Sequence, residues 1–426
     1  MAVLGPAGFP LFLDLLPESP NNSQTAVANT LDNFITNGGT LPLAFNNLFN
    51  LSPSDLAAAF SQLQGEAGTG AAQAGTQAMN SFLSLLTNPF GNNRPFAENR
   101  PPMVVKALGY APESPQSPAR SAFASLDSAP FVGARRWGVW GAAYGGQSNT
   151  SGDLVAGSHD RSARTFGYAT GLDYLVTPYT TVGFALAGGA TQFGLAGGFG
   201  DGHSDMFQAA VYSTTRVNAA YVSAVLAYAW QRESTDRYLT VAGTDTDHLT
   251  ANFNANNVAG RIEGGYRFAI PGVFDSPGFG FGVTPYAAVQ VQAFRTPSYS
   301  ETVASGSSSF ALAYDARTIT TTRTELGSWV DNSYALDRNN VLSLFGRAAW
   351  AHDWYSDPSV TATFLALPGS SSFTEFGAYP VHDSALLTAG AELYMRNGWS
   401  VMAKLDTELA QHSHTYIGTG RLRYTW

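Results

Sequence analysis

The sequence predicts a mainly-β protein: a twelve-stranded antiparallel transmembrane β-barrel preceded by a short, partly helical N-terminal extension. Three observations predict it. From Arg135 to Trp426 apolar and polar residues alternate with a period of two in a dozen segments, each near the ~9–11 residues a tilted membrane-crossing strand needs. Only 12% of the 426 residues are charged, about half the share of an ordinary soluble domain. Short and long connections alternate along the chain, which sorts tight turns to one rim and extended loops to the other. A two-sheet sandwich also alternates along its strands, but it has no reason to sort its loops.

Composition narrows the class further. Gly is abundant (44 residues), aromatics reach 13%, Cys is absent and Lys occurs only at Lys106 and Lys404. A chain without Cys fits passage through an oxidising compartment, although cytosolic chains can lack Cys too. The formal charge of −9 excludes the basic footprint of a DNA or RNA binder, so no nucleic-acid partner is expected. No run approaches the ~20 apolar residues of a membrane helix. Any crossing is therefore made by strands.

The N-terminus opens on Met1-Ala2-Val3-Leu4-Gly5-Pro6 and the apolar Phe9-Pro10-Leu11-Phe12-Leu13. It has no basic n-region and no small-residue cleavage site of the secretory kind. That leaves a fragment, a misplaced start or an export route not written in the sequence. Thr25–Leu31 and Leu41–Leu51 carry irregularly spaced apolar residues. Ser52-Pro53-Ser54-Asp55 is a helix start, with Ser52 as N-cap, Pro53 in the first position and Asp55 in the first turn; that helix runs to Leu63. Gly65–Gly75 is expected to loosen the chain, and a second helix follows from Ala71 to Leu86, closed by Pro89. Its first half is thin (Ala71, Ala72, Ala74, Gly75, Ala78). Two readings stand for it: an amphipathic helix packed on a neighbour, or a slim rod inside a barrel lumen where bulky side chains would not fit. Residues 91–134 are rich in Pro and Ser and read as a flexible linker.

The strands follow in order. In the second, Phe166, Tyr168, Leu172, Tyr174 and Val176 share a face opposite Gly167, Ala169, Gly171 and Asp173. The third sets Val182, Phe184 and Leu186 against Gly183, Ala185 and Ala187, and the fifth sets Val222, Leu226, Tyr228 and Trp230 against Tyr221 and Ser223. In the sixth, Val258, Ile262, Tyr266, Phe268 and Ile270 oppose Arg261, Glu263 and Arg267. The fourth, eighth and tenth are blurred by Thr and Ala. In the eleventh, Trp399, Val401, Ala403, Leu405 and Leu409 oppose Met402, Lys404, Asp406 and Glu408. The twelfth places Tyr416, Leu422, Tyr424 and Trp426 opposite Thr419, Arg421, Arg423 and Thr425. A soluble sheet rarely leaves such a strand as its exposed edge, whereas a closed barrel has no edge to leave. The tight connections are Thr177-Pro178, Thr215-Arg216-Val217, Asp337-Arg338-Asn339-Asn340 and Arg396-Asn397-Gly398. The long ones are Gln147–Arg161, Glu233–His248, Arg295–Asp315 and His352–Ser384. An even strand count puts both barrel ends on the short-turn rim.

Charges of both signs thus gather on the face opposite the apolar one: Arg261, Glu263, Arg267, Arg347, Glu392, Lys404, Asp406, Glu408, Arg421 and Arg423. They read as a hydrated wall that pairs with itself and with the helix, or as the selectivity lining of a diffusion pore. Mixed signs favour the wall.

Arg136-Trp137-Gly138-Val139-Trp140-Gly141-Ala142-Ala143-Tyr144-Gly145-Gly146 resembles the opening strand of the autotransporter (type V secretion) β-domain, and Arg423-Tyr424-Thr425-Trp426 resembles its C-terminal assembly signal. Asn22–Asp32, Leu51–Glu66 and Met79-Asn80-Ser81-Phe82 are similar to the tail that joins passenger to translocator in that family. The resemblance implies residues 1–51 as a passenger remnant, 52–90 as a helical linker in or near the pore, 91–134 as a flexible linker and 135–426 as the barrel. It also implies an outer-membrane protein of a Gram-negative bacterium with its N-terminal part at the cell surface. The implied partners are outer-membrane lipid, the barrel-assembly machinery and the chain's own passenger. Leu422, Tyr424 and Trp426 would be the signal that machinery reads; the same residues suit a lipid-facing strand equally well.

No catalytic, metal or cofactor set stands out, and the chain reads as a transporter rather than an enzyme. His412-Ser413-His414 lacks the further ligands a metal needs. Gly202-His203-Ser204-Asp205 and Gly157-Ser158-His159-Asp160 are expected in loops, without the strand–elbow–helix context of a serine hydrolase. Rim carboxylates at Asp245, Asp247 and Asp353 would serve a barrel hydrolase, but nothing in their spacing selects them. Asn92-Asn93 and Asn80-Ser81 are candidates for passenger cleavage by composition alone.

Overall fold

The structure, a computed structural model, describes residues 11–89, 135–241, 246–270, 280–355, 359–378 and 381–426. The Pro-rich linker, Asn92-Asn93 and Asp245 lie outside the described residues.

Twelve strands close into one antiparallel barrel. They are β1 (Trp137–Thr150), β2 (Arg161–Leu175), β3 (Thr180–Leu195), β4 (Asp201–Val217), β5 (Ala220–Leu239), β6 (Asp247–Tyr266), β7 (Gly282–Thr296), β8 (Arg317–Ala335), β9 (Asn340–Tyr355), β10 (Asp383–Met395), β11 (Trp399–Ala410) and β12 (Ser413–Thr425). Each pairs with its neighbours in chain order, and β12 returns to β1 in a register running from Gly138 opposite Thr425 to Thr150 opposite Ser413. Trp137 and Trp426 finish the seam by exchanging backbone hydrogen bonds of 3.1 and 3.0 Å. Closure satisfies every ladder within the wall, which a strand in lipid requires.

The alternation becomes an inside and an outside. On β5, Val222, Leu226, Tyr228 and Trp230 are exposed on the outer surface, while Tyr221, Ser223, Val225 and Ala227 are buried within. On β6, Val258, Ile262 and Tyr266 face out and Arg261 and Glu263 face in. Nine residues from Val222 to Trp230, tilted as barrel strands are, span roughly 20 Å, close to the height of an outer-membrane apolar band. Above this belt the outer face turns polar, with Asn252, Asn254 and Asn256 on β6 and Arg232 on β5. Both strands are 20 residues long, so their long-loop ends stand beyond the belt.

Several expected loops are strand instead. Residues 233–239 and 247–248 continue β5 and β6, because their ladder runs on to Leu239 opposite Asp247. Gly202-His203-Ser204-Asp205 lies in β4, paired across to residues of β3 and β5, and is no loop. Asp247 and Asp353 likewise sit in β6 and β9. Within the longest two connections, Tyr299–Ser300, Leu312–Tyr314, Ser359–Phe364 and Phe373–Phe376 form a separate four-stranded sheet over the long-loop rim.

The N-terminal extension folds against that sheet. It contains α1 (Phe12–Leu15), α2 (Asn22–Thr36), α3 (Leu43–Asn46), α4 (Pro53–Leu63) and α5 (Ala67–Leu86). A capping box starts α2: Asn21 Oδ1 accepts from Gln24 N at 2.8 Å, and Asn21 N donates to Gln24 Oε1 at 3.1 Å. Asp32 accepts from the backbone N–H groups of Phe12 (2.7 Å) and Leu13 (3.0 Å), which pins α1 to α2. Ser52 caps α4, accepting from Asp55 N at 3.2 Å. Phe12, Leu31, Phe45, Leu56, Phe60 and Leu63 from these helices share one buried core with Leu239, Leu249, Phe310, Leu312, Phe364 and Phe373 from the barrel's long-loop side. Full burial of each such side chain is worth about 1.5–3 kcal/mol before entropy is counted. The helices and the loop sheet therefore fold as one cap.

Candidate functional site: the lumen, its helix and its charged wall

Among the described residues α5 alone enters the lumen, and α4 stays in the cap core. The helix begins at Ala67, four residues before the expected Ala71, and carries Gly68, Gly70 and Gly75 inside it. Their presence costs helix propensity, roughly 1 kcal/mol each, and the barrel supplies the reason. A Cβ at Gly70 would run into the ring of Phe193, and one at Gly75 into Phe294 and Gln231. The glycines let the rod pass close to the inward aromatics. Ala71 and Ala74 pack with Phe193 and Phe253 on one side, and Ala72 with Phe294.

Polar side chains fix the helix along its length. Toward the long-loop rim, Gln73 Nε2 donates to Ala378 O at 2.6 Å and Gln77 Nε2 to Thr415 Oγ1 at 3.2 Å. Midway, Asn80 Oδ1 accepts from Gln290 (2.7 Å) and Gln292 (3.0 Å). In the last turn Lys404 Nζ donates to Ser84 O and Oγ at 2.9 and 2.8 Å, a cation where the helix dipole and free carbonyls favour one. Arg216, beside the β4–β5 turn, then donates to Pro89 O. The helix thus runs the full depth of the barrel, from the long-loop rim to the short-turn rim. Asn80-Ser81 lies inside it.

A second set of contacts closes the upper end. Glu66, just before α5, takes His159 N at 2.8 Å and His159 Nδ1 at 2.5 Å. Gly157-Ser158-His159-Asp160 thus sits in the β1–β2 loop and clamps the extension. Ser23 Oγ lies 2.8 Å from Ala156 O and 2.9 Å from Glu375 Oε1. One hydroxyl proton cannot serve both oxygens. Burial pushes the Glu375 carboxyl well above the ordinary glutamate range, so it can hold its own proton and donate to Ser23.

The wall charges occupy the lumen beside the helix. Arg261 bridges Glu263 (2.6 Å) and Glu325 (2.5 Å), with Tyr221 donating to Glu263 and Tyr286 to Glu325. Arg347 stands between Glu325 (3.6 Å) and Asp406 (3.9 Å), its guanidinium 5.2 Å from the Trp329 ring centroid. Lys404 pairs with Asp406 at 2.8 Å, Arg421 with Glu392 at 3.1 Å, and Arg423 with Asp173. Arg267, near the short-turn rim, holds Asp331 at 2.8 Å. Glu408 shares Arg323 with Asp353 at 2.6 and 2.5 Å. Arg323, Glu325 and Asp331 escaped the sequence reading because β8 is a run of Thr that hides its alternation. The spacing of Arg323 and Glu325 two apart, in phase with Trp329, was the signal available. Asp247 accepts from Ser307 N at 2.6 Å, and Asp353 is bound to Arg323. Each rim carboxylate described is therefore engaged in holding the wall or a loop. His414 pairs with Asn149 at 3.1 Å on the outer face.

Leu422, Tyr424 and Trp426 lie together on the outer face of β12. Tyr424 packs on Trp399 of β11 (centroids 4.9 Å) and stacks with Trp426 at 5.8 Å. They form part of an aromatic cluster at the short-turn edge of the belt.

Comparison with known proteins follows this geometry. The family described as autotransporter beta-domain matches residues 139–406. Among solved structures, the translocator domain of the autotransporter NalP from Neisseria meningitidis superposes with a TM-score of 0.52 at 14% identity, covering 72% of this chain and 93% of that one. The beta domain of the Bordetella autotransporter Brka gives a TM-score of 0.50 at 18% identity, covering 68% of this chain and 100% of that one. At these identities the two show a shared fold. No curated protein sequence matches the chain.

Proposed function

The chain belongs to the autotransporter beta-domain family, and from that premise we propose that it is a translocator that carries the segment ahead of its barrel to the cell surface and anchors it there. The family places the barrel in the outer membrane of a Gram-negative bacterium. One observation carries the proposal: the chain threads its own lumen. Residues 67–89 run from the long-loop rim to the short-turn rim, the rim where β1 and β12 also end. With the short turns in the periplasm, residues 11–65 lie outside.

The remaining assignments belong to the same proposal. Residues 11–64 are the surface-displayed remnant of the exported segment, α5 is the linker and residues 91–134 return the chain to β1. The outer face of β12, through Leu422, Tyr424 and Trp426, is what the barrel-assembly machinery engages. The wall charges neutralise one another around the helix rather than select ions. No catalytic step is assigned.

An epitope placed ahead of Phe12 tests the direction. On intact cells it should bind antibody and be removed by added protease; an epitope reached only after the outer membrane is permeabilised would end the proposal. A porin-like channel is the competing reading, and conductance separates the two. The full chain should pass little current in a planar bilayer, and deletion of residues 11–89 should open it.

A further inference from the structure

At the long-loop end of the lumen α5 does not reach the whole wall. A cavity of about 140 Å³ lies between them, lined by Gln73 and Gln77 of the helix and by Ser148, Thr150, Arg161 and Thr415 of β1, β2 and β12. The hydroxyl groups of Ser148, Thr150, Ser413 and Thr415 are already linked. Gln77 donates to Thr415, Thr415 to Ser148 at 3.0 Å, and Thr150 shares a hydrogen bond with Ser413 at 3.0 Å.

Arg161 is different. Its side chain is 7% exposed, yet only Nη2 meets an acceptor, Thr150 Oγ1 at a marginal 3.5 Å. Nε and Nη1 have no partner among the described residues. The two carboxylates that line the same cavity, Asp353 and Glu408, are both taken by Arg323. Gln73 is complementary: its Nε2 is used by Ala378 O, and its Oε1 meets no donor among the described residues. A guanidinium is always charged, and burying it without a counter-charge is among the most costly arrangements in a protein. The other buried arginines among the described residues, Arg237, Arg261, Arg323, Arg421 and Arg423, each hold a carboxylate.

We propose that this cavity binds one small oxyanion, a carboxylate or a phosphate, on the Arg161 guanidinium, which turns about its side-chain torsions to bring its two unpartnered nitrogens to the cavity. Charge-assisted hydrogen bonds from a planar guanidinium to an oxyanion are the strong kind and suit both groups. The volume is near that of an engineered cavity able to take benzene, which admits acetate or inorganic phosphate and refuses a nucleotide or an acyl chain. Gln73, turned in the same way, accepts on Oε1 from a protonated oxygen, as hydrogen phosphate carries. The anion bridges the helix to β1, β2 and β12, and so acts as a pin that holds α5 in the pore.

Equilibrium dialysis of the full chain in detergent micelles, with radiolabelled inorganic phosphate in one arm and radiolabelled acetate in the other at constant ionic strength, tests the site. One saturable site per chain is expected in at least one arm, and competition between the arms identifies the preferred group. Arg161→Gln should weaken binding about tenfold or more. Arg161→Lys keeps the charge without the planar donor set and should bind several-fold more weakly than wild type. No saturable binding of either anion, or equal binding by R161Q and wild type, overturns the proposal. If R161Q fails to insert, judged by heat-dependent gel mobility, R161K decides, and unchanged binding by it overturns the proposal as well.

Discussion

Single side chains in the lumen hold the wall through pairs that are costly to break and cheap to replace as a set. Arg261 is the clearest, because it satisfies Glu263 and Glu325 at once. Arg261→Met should lower barrel stability by about 3–5 kcal/mol, since two buried carboxylates lose their cation. The triple change Arg261→Met, Glu263→Gln, Glu325→Gln should recover most of that loss. Thermal unfolding in detergent reads both, and a silent single change would remove Arg261 from the wall. Outside the membrane, Glu375 sets a pH dependence. Its folded pKa is raised by burial, so its stabilising contribution is complete below the ordinary glutamate value of 4.5 and is lost as pH rises through the folded value. Docking of the cap, read as proteolysis of residues 11–64, should weaken toward alkaline pH, and Glu375→Gln should flatten that profile. At this scale the sequence was legible wherever phase could be counted: Arg261 and Glu263 fall inward because Ile262 falls outward. It was silent on Glu375 and Arg161, whose importance comes from what surrounds them in space.

At the scale of the element, α5 shows a local rule overridden by its container. Glycine clusters normally mark a loosened chain, and the stretch Gly65–Gly75 predicts one, with the helix starting only at Ala71. Within the barrel Gly68, Gly70 and Gly75 are what lets the helix fit, because Tyr299, Phe193 and Phe294 respectively stand where their side chains would be. The helix start was thus legible only to within four residues, while its thinness was fully visible in Ala71, Ala72, Ala74 and Ala78. The same geometry makes a prediction. Gly75→Leu should drive the helix off Phe294 and raise the bilayer conductance of the full chain, even though leucine is the better helix former by roughly 0.8–1 kcal/mol. Adding Phe294→Ala should restore low conductance by clearing the space. Low conductance in G75L alone would show that the helix tolerates displacement without opening the lumen.

The whole molecule is a cylinder closed at one seam and capped at one end, and the two features differ in how far sequence reveals them. The barrel is written locally: most strands carry their own period of two, blurred by Thr and Ala only in β4, β8 and β10. The cap is written nowhere in particular. Phe310, Phe364 and Phe373 lie in stretches whose composition reads as polar loop, and they become core only because Phe12, Phe45 and Phe60 arrive from some 250 residues or more away. The seam brings the final test. The β1–β12 ladder is made by backbone groups, so replacing an outward side chain on β12 leaves its hydrogen bonds intact. Trp426 and Trp399 are both outward tryptophans at the same edge of the belt, 49% and 41% exposed. If Trp426 serves lipid contact alone, Trp426→Ala and Trp399→Ala should cost the same. If assembly reads β12, the two should lower the unfolding temperature of the finished barrel alike, while W426A depresses the amount inserted in cells several-fold more than W399A. Equal yields would leave the terminal aromatics as ordinary members of the girdle and assign recognition elsewhere in the chain.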